Sequence, residues 1–203
     1  MQGELYIEKQ VVLKQRALYV NDSLLFIGTL NTLTSDFFEE LYRFFDICYP
    51  RFYKMDKLSK TLFLASEALL KDSGLPSVKD NWRVAMILQN SHSSIDTDKL
   101  FQATIHSDSF FPSPSLFIYT LPNIALGEVA IRNRFMGENC TFVVPKFDAR
   151  QCVDYVSALL NGVIYTHVIC GWFDYIDERE EVELFLISKE KTEKKFNINN
   201  LEN

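Results

Sequence analysis

Few residues in this chain are equipped for covalent chemistry. Four cysteines (Cys48, Cys140, Cys152, Cys170) and three histidines (His92, His106, His167) are scattered along 203 residues. A thiol becomes a nucleophile beside a cation, a base or a helix N-terminus. Cys152 falls inside a helical pattern beside Val153, and Cys140 opens an apolar run, so both read as inert core thiols. There is no CxxC pair, and the histidines show no ligand spacing with the cysteines, which argues against zinc. No metal and no cofactor are expected. Around His92, His106 and His167 neither a carboxylate partner nor a Ser/His/Asp order can be read, and structural roles are expected. Gly127-Glu128 and Gly137-Glu138 hold single glycines, too weak a signal for a phosphate loop.

Lys146 is the residue best placed for chemistry. It sits on a tight bend, Pro145-Lys146, between an apolar strand Cys140–Val144 and a helix. A helix start carries free backbone N–H groups and a positive dipole end, where enzymes stabilise anionic nucleophiles. That environment disfavours the ammonium form, the direction a Schiff-base lysine needs. Acyl transfer to an amine, however, ends in a stable amide. A solvated or ion-paired lysine standing where a catalytic group could be is the plainer reading.

The elements that must position this bend are legible. Asp148 followed by Gln151 is a capping-box signature, and Asn161-Gly162 ends the helix. Val153, Val156, Leu159, Leu160 and Val163 share one helical face, so the helix should pack on a sheet. The run Cys140, Thr141, Phe142, Val143 and Val144 lacks alternation, which predicts burial in the domain or at a subunit interface. A second apolar strand, His167–Cys170, follows the helix.

From Met136 to Tyr175 the sequence resembles the nucleophile elbow of the ketoacyl synthases, within the thiolase-like fold. Gly137-Glu138-Asn139 matches that family's Gly-Pro-Asn turn, Cys140–Val144 its buried strand, and Pro145-Lys146-Phe147-Asp148-Ala149 its Ala-Cys-Ser/Thr-Ser-Gly bend. Cys170-Gly171-Trp172 falls at its Gly-Gly pair. The resemblance puts Lys146 at the position of the nucleophilic cysteine, and Gly137, Asn139, Asp148, Gln151 and Gly171 in structural positions. It extends over about residues 50–188. KMDKLSKTLFLASEALLKDSGL (54–75) is similar to the helix with an Arg-x-Met-Asp start, and Asn123, Ala125 and Ile131 fit the Asn-x-x-Ala-x-x-Ile-Ser segment. EVELFLIS (181–188) lies at the Glu-Gly-Ala-Ala-Ala-Leu-Val-Leu strand. The family's second half, which carries two histidines for decarboxylation and condensation, is not matched, and no histidine follows His167.

Composition sets the outer bounds. Hydrophobic residues make up 47% and charged ones 24%, the balance of an ordinary globule. A net charge of −6 and a pI near 5.1 argue against nucleic acid. No apolar run reaches the ~18 residues of a membrane span, and no secretory-signal plan opens the chain, so a cytoplasmic protein with buried, reduced thiols is expected.

In chain order, residues 4–30 read as strands with a turn at Asn21-Asp22. Ser35-Asp36 with Glu39 should cap a helix to about Asp46. Further helices are expected over Met55–Asp72, stopped by Gly74 and Pro76, over Asp98–His106 and over Ile124–Phe135. Trp82–Leu88 reads as a strand buried on both faces. Residues 89–122 form a long polar loop, of a length that is usually functional. Lys189–Asn203 reads as a charged, frayed tail after a single domain, 1–188. The whole is expected to be an α/β unit, a thiolase-like half with a five-stranded mixed sheet and helices on both faces.

The function expected from the resemblance is a non-catalytic ketoacyl-synthase-like subunit, similar to a chain length factor, in a fatty-acid, polyketide or aryl-polyene pigment pathway. Two alternatives stand beside it: a residual acyltransferase or hydrolase, and a stand-alone module for an acyl chain or acyl-carrier protein. The family's strand before the elbow pairs with its two-fold mate. The resemblance therefore implies a dimer, with itself or with a complete synthase, through Cys140–Val144, with Phe111 and Phe117 on the adjoining loop 110–117. Acyl-carrier protein would be engaged indirectly, because both it and this chain are acidic.

Overall fold

Seven strands, seven α-helices and two short 3₁₀ helices (Pro50–Lys54 and Asn81–Arg83) account for the regular structure among residues 3–29, 33–75, 81–105 and 111–202, the part of the chain that the computed structural model describes. The strands are β1 (Tyr6–Lys14), β2 (Ala17–Val20), β3 (Ser23–Ile27), β4 (Val84–Asn90), β5 (Asn139–Val143), β6 (His167–Ile176) and β7 (Arg179–Ser188). The helices are α1 (Thr34–Phe44), α2 (Lys57–Leu70), α3 (Ile95–Gln102), α4 (Pro114–Ile118), α5 (Asn123–Asn133), α6 (Ala149–Asn161) and α7 (Ile198–Leu201). One mixed sheet has the order β3-β2-β1-β7-β6-β4-β5. β4, β5 and β6 run parallel, β7 is antiparallel to both β6 and β1, and β1-β2-β3 form an antiparallel meander at one edge.

That meander takes the sheet from the expected five strands to seven. The first apolar stretch breaks at Gln15 and Arg16, whose φ angles of 51° and 62° make a two-residue hairpin turn without asparagine or glycine. Arg16 is held in this conformation by Glu180, which accepts from its backbone N–H at 2.7 Å and pairs with its guanidinium. Asn21-Asp22 turns as expected, with φ 47° and 64°.

β4 accounts for the apolar run Val84–Leu88: all seven residues of the strand, including the polar Gln89 and Asn90 at its end, are buried. Val84, Met86 and Leu88 point into one core with α1, α2 and α5, while Ala85 and Ile87 point into a second core with α6 and α7. The strand starts two residues later than expected, because Asn81–Arg83 form a 3₁₀ turn and Trp82 is half exposed. Beyond Gln102, α3 ends short of the expected Asp98–His106 span; His106, Phe110 and Pro76 lie outside the described residues. The polar loop also holds α4, opened by Ser113, whose hydroxyl accepts from the Leu116 N–H.

Two expectations about ends are corrected. Ser35, Asp36 and Glu39 do not cap α1; its N-cap residue is Leu33, which has no side-chain cap. The acceptor comes from across the fold, where Glu178 in the β6–β7 turn takes the Thr34 N–H at 2.9 Å. The segment after Ser188 is not frayed. Phe196 N–H donates to Leu5 O, Ile7 N–H donates to Lys194 O, and Phe196 and Leu201 are buried in the second core. Its charged residues mask an apolar pair too sparse to read as an element. Among the described residues no helix is long and apolar enough to cross a membrane.

Candidate functional site

The parallel strands β4, β5 and β6 all end on one side of the sheet, the side where α/β proteins bind ligands. The bend occupies that side. β5 runs into Pro145-Lys146-Phe147, and α6 opens at Asp148, whose Oδ1 accepts the Gln151 N–H at 2.9 Å. Gln151 does not complete the box by reaching back. Gln89 of β4 does so instead: its Oε1 accepts the Asp148 N–H at 2.8 Å, and its Nε2 donates to Gln151 Oε1 and to Asp148 O. The bend is thus bolted to the central strand by one buried amide. Lys146 on it is exposed, as is Pro145.

β5 is the edge strand of the sheet, paired with β4 alone. Asn139 is exposed at its start, Cys140, Thr141 and Phe142 are half buried, Val143 is 54% exposed, and Val144 beyond it is half buried. Burial therefore does not come from the chain's own sheet. Burial and the Glu138 carboxylate push the Cys140 thiol above its usual value. Two glycines allow the backbones here to approach. A Cβ on Gly137 would lie 2.1 Å from Val84 O, and one on Gly171 (φ 135°) would lie 2.0 Å from Glu183 O. Gly171 is thus a mid-strand contact, and β6 continues through it to Ile176 rather than ending at Cys170.

The thiols are placed away from the bend. Cys152 and Cys170 are both buried in the second core, and burial holds the Cys170 thiol well above its usual range. Cys48 is exposed, contrary to the expectation of buried thiols throughout. Val163, assigned to the buried face of α6, is 92% exposed because the helix stops at Asn161 and Gly162 is extended. Phe111 and Phe117 are 87% and 61% exposed, Phe117 lying beside Phe101 with ring centroids 5.4 Å apart. Glu128, following Gly127, is a buried structural carboxylate bound by both Arg51 and Tyr119.

The structure also assembles a cluster that has no signature in the sequence. Ser91 and His92 leave the end of β4, and Asp174 stands on β6 with its side chain buried. Asp174 Oδ2 accepts the Ser91 hydroxyl at 2.5 Å and lies 2.6 Å from His92 Nδ1, with Ser91 Oγ 2.8 Å from the same nitrogen. The cluster borders a cleft of about 410 Å³ that also takes in Lys146 and Phe147 of the bend. Its floor is two rows across the sheet. One is Lys14, Glu181 and Asp174; the other is Val12, Glu183 and Trp172. Burial pushes the Glu183 carboxyl up, although Gln10 Nε2 donates to it at 2.7 Å. A separation of about eighty residues between His92 and Asp174 hid the pair. Ser91-His92 simply follow the apolar run of β4, which by itself does not mark a site.

No protein-family profile and no curated protein matches the sequence. Solved structures do match in shape. The ishigamide ketosynthase/chain length factor aligns with a TM-score of 0.67 at 18% identity, over 95% of this chain and 64% of that one. A chain of the Xenorhabdus doucetiae ketosynthase ApeO in complex with its chain length factor ApeC aligns at 0.57 and 12% identity, over 91% and 79%. A beta-ketoacyl synthase from Burkholderia phymatum aligns at 0.61 and 12% identity, over 92% and 59%. The chain thus spans less than two thirds of the ishigamide and Burkholderia proteins. At such identities shape alone is comparable, and the shape is clear: this chain has a ketosynthase-like α/β fold of the thiolase type.

Proposed function

We propose that this protein is a non-condensing, ketosynthase-like subunit that pairs with a complete ketosynthase, or with itself, in the manner of a chain length factor. The observation that carries the reading is the elbow. Strand, bend and capped helix are kept and rigidly tied through Gln89, while the side chain at the bend is an exposed lysine rather than a thiol. A lysine cannot form the thioester that a condensing cycle passes through. The open edge of β5 supports the pairing: its apolar residues reach a sheet edge where a partner strand could bury them.

In this reading the partner supplies the condensing site, and Lys146 lies near it, shaping the pocket without taking part in condensation. The pathway would make a fatty acid, a polyketide or an aryl-polyene pigment; the ketosynthase and chain length factor pairs among the similar structures support this range. A type II polyketide ketosynthase bound to its acyl-carrier protein is among those structures, which supports indirect contact with a carrier. A cytoplasmic setting fits these partners. The test is condensation of acyl and malonyl thioesters by the protein alone and mixed with a candidate ketosynthase from the same organism. No product from this protein alone, and a change in product length on mixing, are expected. Condensation by this protein alone would refute the reading.

A further inference from the structure

We propose that the cleft beside the bend is a hydrolytic site, in which His92, oriented by Asp174, activates water against a short-chain acyl ester or thioester. This goes beyond the pairing role and does not depend on it.

The argument starts from the imidazole. Asp174 Oδ2 is a buried acceptor 2.6 Å from His92 Nδ1, and we assign the shared proton to Nδ1, the tautomer that donates to it. The lone pair is then on Nε2, at the far side of the ring. Nε2 has no hydrogen-bond partner among the described residues, and the ring borders the cleft. A base held this way by a buried acid is the arrangement that general-base catalysis needs. Ser91 is not its nucleophile. The serine sits on the Nδ1 side, and its proton goes to Asp174. Water is therefore the group to be activated.

The step balances without a further reactant. Nε2 takes a proton from water as the oxygen adds to the carbonyl carbon. The tetrahedral intermediate collapses with cleavage of the C–O or C–S bond, and the imidazolium returns the proton to the leaving group. Lys146 and Lys14 are the cations sharing the cleft with an oxyanion formed in this way.

The cleft's contents select the substrate class. Asp174, Glu181 and Glu183 outnumber Lys14 and Lys146, so a phosphate-bearing anion is disfavoured and a neutral electrophile preferred. Val12, Phe147 and Trp172 give apolar contact for an acyl chain. A volume of about 410 Å³ is at the small end for ligand sites, which favours a chain of a few carbons.

Two probes test this: p-nitrophenyl butyrate, and the butyryl thioester of N-acetylcysteamine. The wild-type protein should hydrolyse at least one with saturation, faster at pH 8 than at pH 5. His92→Gln, which keeps a donor for Asp174 but no base, should lose kcat/KM by about 100-fold or more and flatten the pH profile. Asp174→Asn should lower kcat by about tenfold or more, because the favoured tautomer changes. His167→Gln, at the opposite end of β6, should stay within about twofold, since it leaves the base untouched. Thermal melts confirm that each variant is folded, and His92→Asn serves if His92→Gln is not. The proposal is overturned if neither probe is turned over above buffer, or if a folded His92 variant retains wild-type kcat/KM.

Discussion

Single side chains carry the proposed loss of condensing chemistry, and they show where stability is concentrated. Lys146→Cys puts a thiol on the bend, yet it is expected to give no condensation product with acyl and malonyl thioesters. Decarboxylation in the resembling family uses two histidines, and among the described residues His92 alone stands at this end of the sheet, engaged with Asp174. His167 begins β6 at the opposite end, near Glu8. Radiolabelled malonyl thioester would reveal any condensation; product from the single variant would contradict the account. Glu178 is the second case. Burial raises its carboxyl, but the Lys57 ammonium, the Thr34 N–H and hydroxyl and the Tyr175 hydroxyl outweigh this and bring it down to about 2. Its folded value is depressed, so its stabilising contribution is complete above the ordinary carboxylate range and is lost as pH falls toward 2. Melting temperature should therefore drop between about pH 5 and pH 2. Glu178→Gln should show a lower melting temperature at pH 7 and a shallower fall in acid. Equal acid sensitivity in both proteins would count against this network.

At the scale of elements, the helix that carries the bend offers the cleanest comparison. Asp148→Ala removes one cap acceptor and should cost about 1 kcal/mol. Leu160→Ala empties a fully buried position in the second core and should cost about 2–5 kcal/mol. Urea unfolding of both separates the cap from the packing, and a cap mutant as damaging as the core mutant would show that the bend, not the helix face, holds α6. Elements were legible where local chemistry and burial agree. β4 announced itself by the apolar run that ends at Leu88, and α6 by Asp148 with Gln151. They were illegible where the partner is distant. The Gln15-Arg16 turn depends on Glu180, the α1 start depends on Glu178, and the tail is held by Leu5 and Ile7. The Ser91–His92–Asp174 cluster is the same failure at the site, since its carboxylate comes from another strand. The apolar run of β5 was read correctly as a strand, but apolarity does not say whether the burying surface belongs to the same chain.

The molecule as a whole presents a sheet open at β5, with the bend and its cleft next to that edge. A ketosynthase-like fold whose bend carries an exposed lysine makes sense, in the proposed reading, as half of a pair. A stable interface of this kind should bury at least about 1,000 Å² in total. The direct measurement is light scattering on the purified protein at micromolar concentration, alone and mixed with a candidate ketosynthase, using wild type and Val143→Asp. The account predicts a defined dimer or hetero-complex for the wild type, and its loss in a Val143→Asp variant that keeps its fold, because a carboxylate would then sit unpaired in the buried seam. A wild-type protein that remains a strict monomer in both experiments would contradict it.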